Sequence, residues 1–300
     1  SIPALPTTSN NLFAGSWSPT INNVATGAVV LTNYTFTPTA GAGICATQAS
    51  LAINVHPNTT PTFTQLGPYC ENAVPASLPA TSNNGSIAGT WSPANISTAA
   101  VGNSVYTFTP TSTATPTCAT GATMTISIAP LPTATISGTT TVCQSAAQPN
   151  ITFTGSGSTP PYIFNYTIND GTNTTSNTVT TTGAASSITV PAPTGTAGTF
   201  TYTLTSVAVG SCSNNVNGQS AIVTVNANVL PTFNPVPDYC NGASIPALPT
   251  TSNNLFAGSW SPAINNVANG AVVQTNYTFT PTAGAGICAT QATLAINVHP

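Results

Sequence analysis

The sequence predicts an all-β chain, organised as a tandem array of β-sandwich domains with one disulfide in each. Three observations predict it. Short runs alternate apolar residues with threonine or serine. The text repeats at two levels. The cysteines divide into early and late positions within each repeat.

The alternation is clearest in four runs. Residues 123–128 (TMTISI) place Met124, Ile126 and Ile128 on one face. Residues 293–298 (TLAINV) do the same with Leu294, Ile296 and Val298. Residues 161–170 alternate Tyr162, Phe164, Tyr166 and Ile168 before reaching Asp170-Gly171, a hairpin signal. Residues 199–205 add Phe200, Tyr202 and Leu204. A period of two puts each set on one side of a pleated strand. Threonine suits the opposite, exposed side. No window shows a helical period. Several short strands per segment, separated by Gly, Pro and Asn turns, read as sandwiches of immunoglobulin-like type.

The repeat sets the domain boundaries. Residues 1–57 match 244–300 at all but four positions: Thr20/Ala263, Thr26/Asn269, Leu31/Gln274 and Ser50/Thr293. The period is 243 residues, far longer than a solenoid unit. A weaker repeat aligns 61–129 with 231–300. It pairs Tyr69-Cys70 with Tyr239-Cys240, and GTWSP (89–93) with GSWSP (258–262). It also pairs VYTFTPT (105–111) with NYTFTPT (276–282). The expected domains are 1–57 (truncated type A), 61–129 (type B, related to A), 130–230 (a longer type C) and 231–300 (type A again). Proline-rich stretches at 56–63, 129–135 and 228–237 read as short, stiff linkers.

Composition narrows function. The 300 residues include no Lys or Arg, three acids (Glu71, Asp170, Asp238) and two His. Charged residues make up 1%, against about 25% in an ordinary soluble domain. Without cations the chain has no means of neutralising nucleic-acid phosphate and no polybasic patch for a membrane surface. No apolar run reaches the roughly 20 residues of a membrane span. A secretory leader begins with basic residues. The chain is therefore expected to be a window of a longer protein or to have lost its leader. At 40% hydrophobic it has enough apolar material for cores, and disorder is a poor reading.

Seven cysteines are present: Cys45, Cys70, Cys118, Cys143, Cys212, Cys240 and Cys288. The early-to-late spacing of 48 recurs in Cys70/Cys118 and Cys240/Cys288, and Cys143/Cys212 fall in the third domain type. The expected pairs are Cys70–Cys118, Cys143–Cys212 and Cys240–Cys288. Cys45 would have its partner four positions ahead of Ser1, at the place that corresponds to Cys240. This implies an oxidising location. The alternative, metal binding, has no CxxC pair or His cluster behind it.

Candidate chemistry is sparse. His56 and His299 occupy the same repeat position beside proline and read as solvated linker residues. Asp170 belongs to its turn. Asp238 and Glu71 flank the first cysteines of their domains. Three scattered acids do not build calcium sites. Without lysine, no lysine–asparagine cross-link can form. The many hydroxyls have no base beside them, so no enzyme activity, cofactor or metal is expected. N-x-S/T triplets at Asn33, Asn95, Asn150, Asn165 and Asn276 are expected by chance in this composition. Trp17, Trp91 and Trp260 each sit in G-[ST]-W-S-P, as core anchors or, less simply, as platforms for sugar stacking.

LPTTSNNLFAGSWSP…YTFTPTAGAGICATQATLAINV and ISGTTTVCQSAAQPNITFTGSGSTPPYIFNYTINDG resemble the immunoglobulin/PKD-like repeats of giant Bacteroidetes cell-surface adhesins. These include gliding-motility adhesins exported by the type IX secretion system. The resemblance covers essentially the whole chain. It implies an extracellular thread, anchored to the outer membrane through another part of the protein. Such a thread gives reach and strength for attachment or gliding. The implied partners are an external surface or polysaccharide, and secretion and gliding machinery acting through other regions. Lateral self-association of uncharged strand faces is a further expectation. Two alternatives stand beside this reading: a subunit of a noncovalent filament or sheath, and an array of carbohydrate-binding modules.

Overall fold

The computed structural model describes residues 2–42, 45–111, 118–282 and 287–300. The described residues are all-β, with no helix. Contacts divide the chain into two compact units, Ser1–Pro130 and Leu131–Pro300.

The first unit contains two sheets. Strands β1 (Gly15–Ser18), β2 (Val30–Pro38) and β3 (Ala49–Val55) form an antiparallel sheet in that order. Strands β4 (Tyr69–Cys70), β5 (Gly89–Ser92), β6 (Gly102–Pro110) and β7 (Ala122–Ala129) form another, in the order β4-β7-β6-β5. The alternation foreseen in 123–128 is observed: Met124, Ile126 and Ile128 are buried and the threonines and serine between them are exposed.

Among the described residues, strands cover only one side of that core. Phe63, Leu66 and Leu78 pack on the sheet from an irregular segment rather than from a second sheet. Pro61, Pro68, Pro75 and Pro79 punctuate this segment. A proline lacks the N–H a ladder needs, so the covering layer is built from extended, unpaired chain. Backbone groups find other partners: Asn84 accepts from Thr62 N–H at 2.7 Å and donates to Thr60 C=O at 2.9 Å.

The second unit opens with two facing sheets. Strands β8 (Thr133–Ser137), β10 (Asn150–Ser156) and β13 (Ser187–Pro191) form one, in the order β13-β10-β8. The other is β12 (Thr174–Thr180), β11 (Ile163–Asn169), β14 (Gly198–Val209), β16 (Ser220–Asn226) and β9 (Thr140–Cys143), with β15 (Cys212–Asn215) paired to β14. Ile151 and Phe153 of one sheet share a core with Phe164, Tyr166, Tyr202, Leu204 and Val223 of the other. The hairpin foreseen at Asp170-Gly171 joins β11 to β12. Gly171 has φ +89°, and the Asp170 carboxylate accepts the N–H of Thr172 and of Asn173. Those bonds, with Asn173 first, hold its carboxyl below the usual range.

The unit closes with β17 (Tyr239–Cys240), β18 (Gly258–Ser261), β19 (Val273–Pro281) and β20 (Ala292–His299), in the order β17-β20-β19-β18. This is the arrangement of β4 to β7 again.

One core group stands out. Tyr202 is fully buried, and its hydroxyl has no hydrogen-bond partner among the described residues. Burial raises its pKa, and the neighbouring Tyr166 adds to the rise. The Tyr162 hydroxyl, by contrast, is bonded to Ser158. Tyr202→Phe removes an unpaired buried polar group and is expected to leave stability unchanged or raise it by about 1 kcal/mol. Tyr162→Phe should cost about 1 kcal/mol. Urea midpoints of the two variants check the contrast.

Candidate functional site

The G-[ST]-W-S-P motif builds a packing station. In all three copies the tryptophan Nε1–H donates to a proline carbonyl: Trp17 to Pro6 at 2.9 Å, Trp91 to Pro79 at 2.8 Å and Trp260 to Pro249 at 2.8 Å. The rings sit 5.2 Å from Phe36, Phe108 and Phe279 respectively. Phe63 and Phe233 complete aromatic triads in the two full copies. Such pairs contribute about 0.5–1.5 kcal/mol each beyond area burial. The motif's glycine is required by contact. A Cβ at Gly89 would lie 2.3 Å from the Phe108 ring and 2.5 Å from the Thr109 carbonyl oxygen. Trp91 is buried, and in every copy the indole N–H is already committed. These residues anchor the fold and offer a sugar hydroxyl no free indole donor.

The chemistry that joins segments is at the cysteines. Cys143 closes β9, which runs parallel to β16, with Cys143 opposite Asn226. Gln144 N–H donates to Asn226 C=O at 2.8 Å. The chain then needs only Ala227 and Asn228 to reach Val229. Val229 N–H donates to Cys288 C=O at 2.7 Å, and Thr290 N–H donates to Val229 C=O at 3.0 Å. Asn228 Nδ2–H donates back to Gln144 C=O at 3.0 Å. Cys143 and Cys288 are thus brought together on either side of the linker. They form a disulfide, with Cα atoms 5.2 Å apart. A second covalent connection lies beside the first, tying the segment of β8 to β16 to the segment of β17 to β20.

This corrects the expected pairing. Cys143 bonds Cys288, so neither Cys143–Cys212 nor Cys240–Cys288 forms. Cys118 is free, so Cys70–Cys118 does not form either. Cys70 and Cys212 are nevertheless disulfide-bonded, while Cys45, Cys118 and Cys240 are exposed free thiols.

The reason is strand length. Cys240 lies opposite His299 at the end of β20, whereas Cys288 precedes the start of that strand at Ala292. Seven strand steps separate these ends by about 23 Å. Cys70 and Cys118 stand in the same relation to β7. Cys143 lies beside the Gly198 end of β14, through Val142–Val225–Gly198, while Cys212 pairs with Val209 at the other end. That separation is on the order of 35 Å. A disulfide needs Cα atoms about 4.4–6.8 Å apart. The 48-residue spacing therefore marks two ends of one segment, not two halves of one bond. Sequence reasoning missed that an antiparallel segment returns its late cysteine to the end where the chain enters.

The remaining expected residues are dispersed. His299 and Asp238 meet at 3.0 Å, both exposed, at the Cys240 end of the last segment. The hydrogen bond from His299, then one from Asn297, lowers the Asp238 carboxyl below its usual range. Asp170 remains in its turn. His56 and Glu71 are partly buried and join no metal-binding cluster among the described residues. Among the described residues no group of three or more His, Cys, Asp or Glu could hold a metal ion. No helix of the described residues is long and apolar enough to cross a membrane. Disulfides of this kind point to an oxidising environment.

No protein-family model matches this sequence, and no curated protein matches it.

Proposed function

We propose that the chain is a repetitive segment of an extracellular stalk in a giant cell-surface adhesin. Its product is length and resistance to pulling rather than catalysis. One observation carries this reading: the Cys143–Cys288 bond runs beside a two-residue linker, so tension has a covalent route around both segments. The 243-residue repeat supports it, because a stalk grows by reiterating a unit. The near-absence of charge supports it too, since interactions without ionised groups respond little to salt. Attachment to an external surface or polysaccharide, outer-membrane anchoring, and secretion and gliding machinery belong to other regions of such a protein.

The test is labelling of intact source cells with an antibody raised against this chain, followed by electron cryo-tomography. The expected result is labelled single threads outside the outer membrane. Signal confined to lysed cells, or thick multi-chain filaments, would overturn the stalk reading.

A further inference from the structure

Three cysteines share one backbone frame. Cys70, Cys143 and Cys240 each end a short strand that runs parallel to the last strand of its segment. In each, the next residue's N–H donates to that last strand: Glu71 to Ala129, Gln144 to Asn226 and Asn241 to His299, at 2.7–2.8 Å. In each, the residue three ahead donates back to the cysteine carbonyl: Ala73, Ala146 and Ala243, at 3.0–3.1 Å. In each, the residue between has positive φ: Asn72 at 60°, Ser145 at 63° and Gly242 at 75°. Cys70 and Cys143 are disulfide-bonded, and Cys240 is a free, exposed thiol.

A second frame recurs at the opposite end. Val229 brackets Cys288 by donating to its carbonyl and accepting from Thr290. Thr59 brackets Cys118 identically, donating to Cys118 C=O at 2.8 Å and accepting from Thr120 at 3.0 Å. Cys288 is bonded, and Cys118 is free. The linkers ahead of the two frames also match: Asn226-Ala227-Asn228-Val229 and His56-Pro57-Asn58-Thr59 have equal length.

We propose that Cys240 is the open half of a covalent joint whose occupant is the Cys118-type frame of a following segment of this same kind. The sequence supplies the junction. Residues 244–300 repeat 1–57, and 1–57 lead directly into the segment that carries Cys118. A copy of residues 58–300 placed after Pro300 would set Cys240 and its Cys118 on either side of a linker like the one between Asn226 and Val229.

The bond forms by thiol–disulfide exchange with a low-molecular-weight disulfide such as oxidised glutathione. The Cys240 thiolate attacks one glutathione sulfur and releases one glutathione thiolate. The incoming cysteine thiolate then attacks the mixed disulfide at Cys240 and releases the second. Two protein thiols are oxidised, and one glutathione disulfide is reduced to two glutathiones. This rests on the modular reading of the chain and not on cell-surface location, so thiol counting and antibody labelling fail independently.

The experiment compares the 300-residue chain with the same chain carrying a second copy of residues 58–300 after Pro300. Both are folded with oxidised glutathione, alkylated with iodoacetamide and weighed intact. The shorter chain is expected to take up three labels, at Cys45, Cys118 and Cys240. The longer chain adds six cysteines and is expected still to take up three. Peptic fragments should show Cys240 of the first copy joined to Cys118 of the second. Cys118→Ser in the second copy alone should raise the count to four, by freeing Cys240 of the first. Five labels in the longer chain, or three with Cys240 joined elsewhere, would overturn the proposal.

Discussion

Gly89→Ala is expected to destabilise the segment of β4 to β7 by about 3 kcal/mol or more, the scale of an overpacked core. The added methyl meets the Phe108 ring at 2.3 Å and the Thr109 carbonyl oxygen at 2.5 Å. The ring cannot retreat, because Phe63 and Trp91 hold it from two sides at centroid distances of 4.7 and 5.2 Å. The carbonyl belongs to β6 and is fixed by its ladder. A melting temperature lower by roughly 10 °C or more, followed by Trp fluorescence, is the expected readout. Gly195→Ala is the control, since no atom lies within 4 Å of its added methyl. Equal melting of both variants would mean that the glycine of the G-[ST]-W-S-P motif is not set by the aromatic station.

Cutting the Cys143–Cys288 bond should have the largest mechanical effect. When the chain is pulled from both ends, tension reaches Cys143, crosses the disulfide and leaves at Cys288. The 145-residue interval between them is bypassed. At about 3.3–3.6 Å per extended residue, the interval hides roughly 500 Å of length. Cys212 lies inside that interval and is itself disulfide-bonded, so the comparison is made with Cys70 and Cys212 replaced by serine in both chains. In that background the Cys143→Ser, Cys288→Ser variant should release about 500 Å more contour length in single-molecule pulling than the chain that keeps the Cys143–Cys288 bond. In the chain-entropy model a loop this long also stabilises by about 5 kcal/mol, shared between the two segments. Identical force–extension curves for the two chains would show that the bond does not carry the tension.

The strands were legible from sequence because their pattern is local. Tyr162, Phe164 and Tyr166 alternate along seven residues, and burial follows that alternation without reference to anything distant. The turn at Asp170-Gly171 was legible for the same reason: its carboxylate bonds residues two and three ahead. The second layer over β4 to β7 was misjudged. Phe63 was read as the end of a linker, yet with Leu66 and Leu78 it packs on the sheet, and the prolines among them leave this covering layer as extended chain without a ladder.

The tryptophans showed only that something recurs. That their N–H groups point at Pro6, Pro79 and Pro249 depends on chain folded back across 11 or 12 residues. The cysteine pairing was not legible at all from spacing. It depends on which end of an antiparallel segment each sulfur reaches, and that is fixed by strand direction and length. The recurrence of 48 residues was real, but its meaning was a repeated distance between two ends.

The central claim is that disulfides tie successive segments rather than close each one on itself. Disulfide mapping of the oxidised 300-residue chain tests it most directly. Pepsin at acid pH is the suitable protease, because trypsin finds no Lys or Arg and low pH suppresses exchange. The account predicts a cross-linked fragment joining Cys143 to Cys288, with Cys240 and Cys118 recovered as thiols. Fragments joining Cys240 to Cys288 and Cys143 to Cys212 would contradict it.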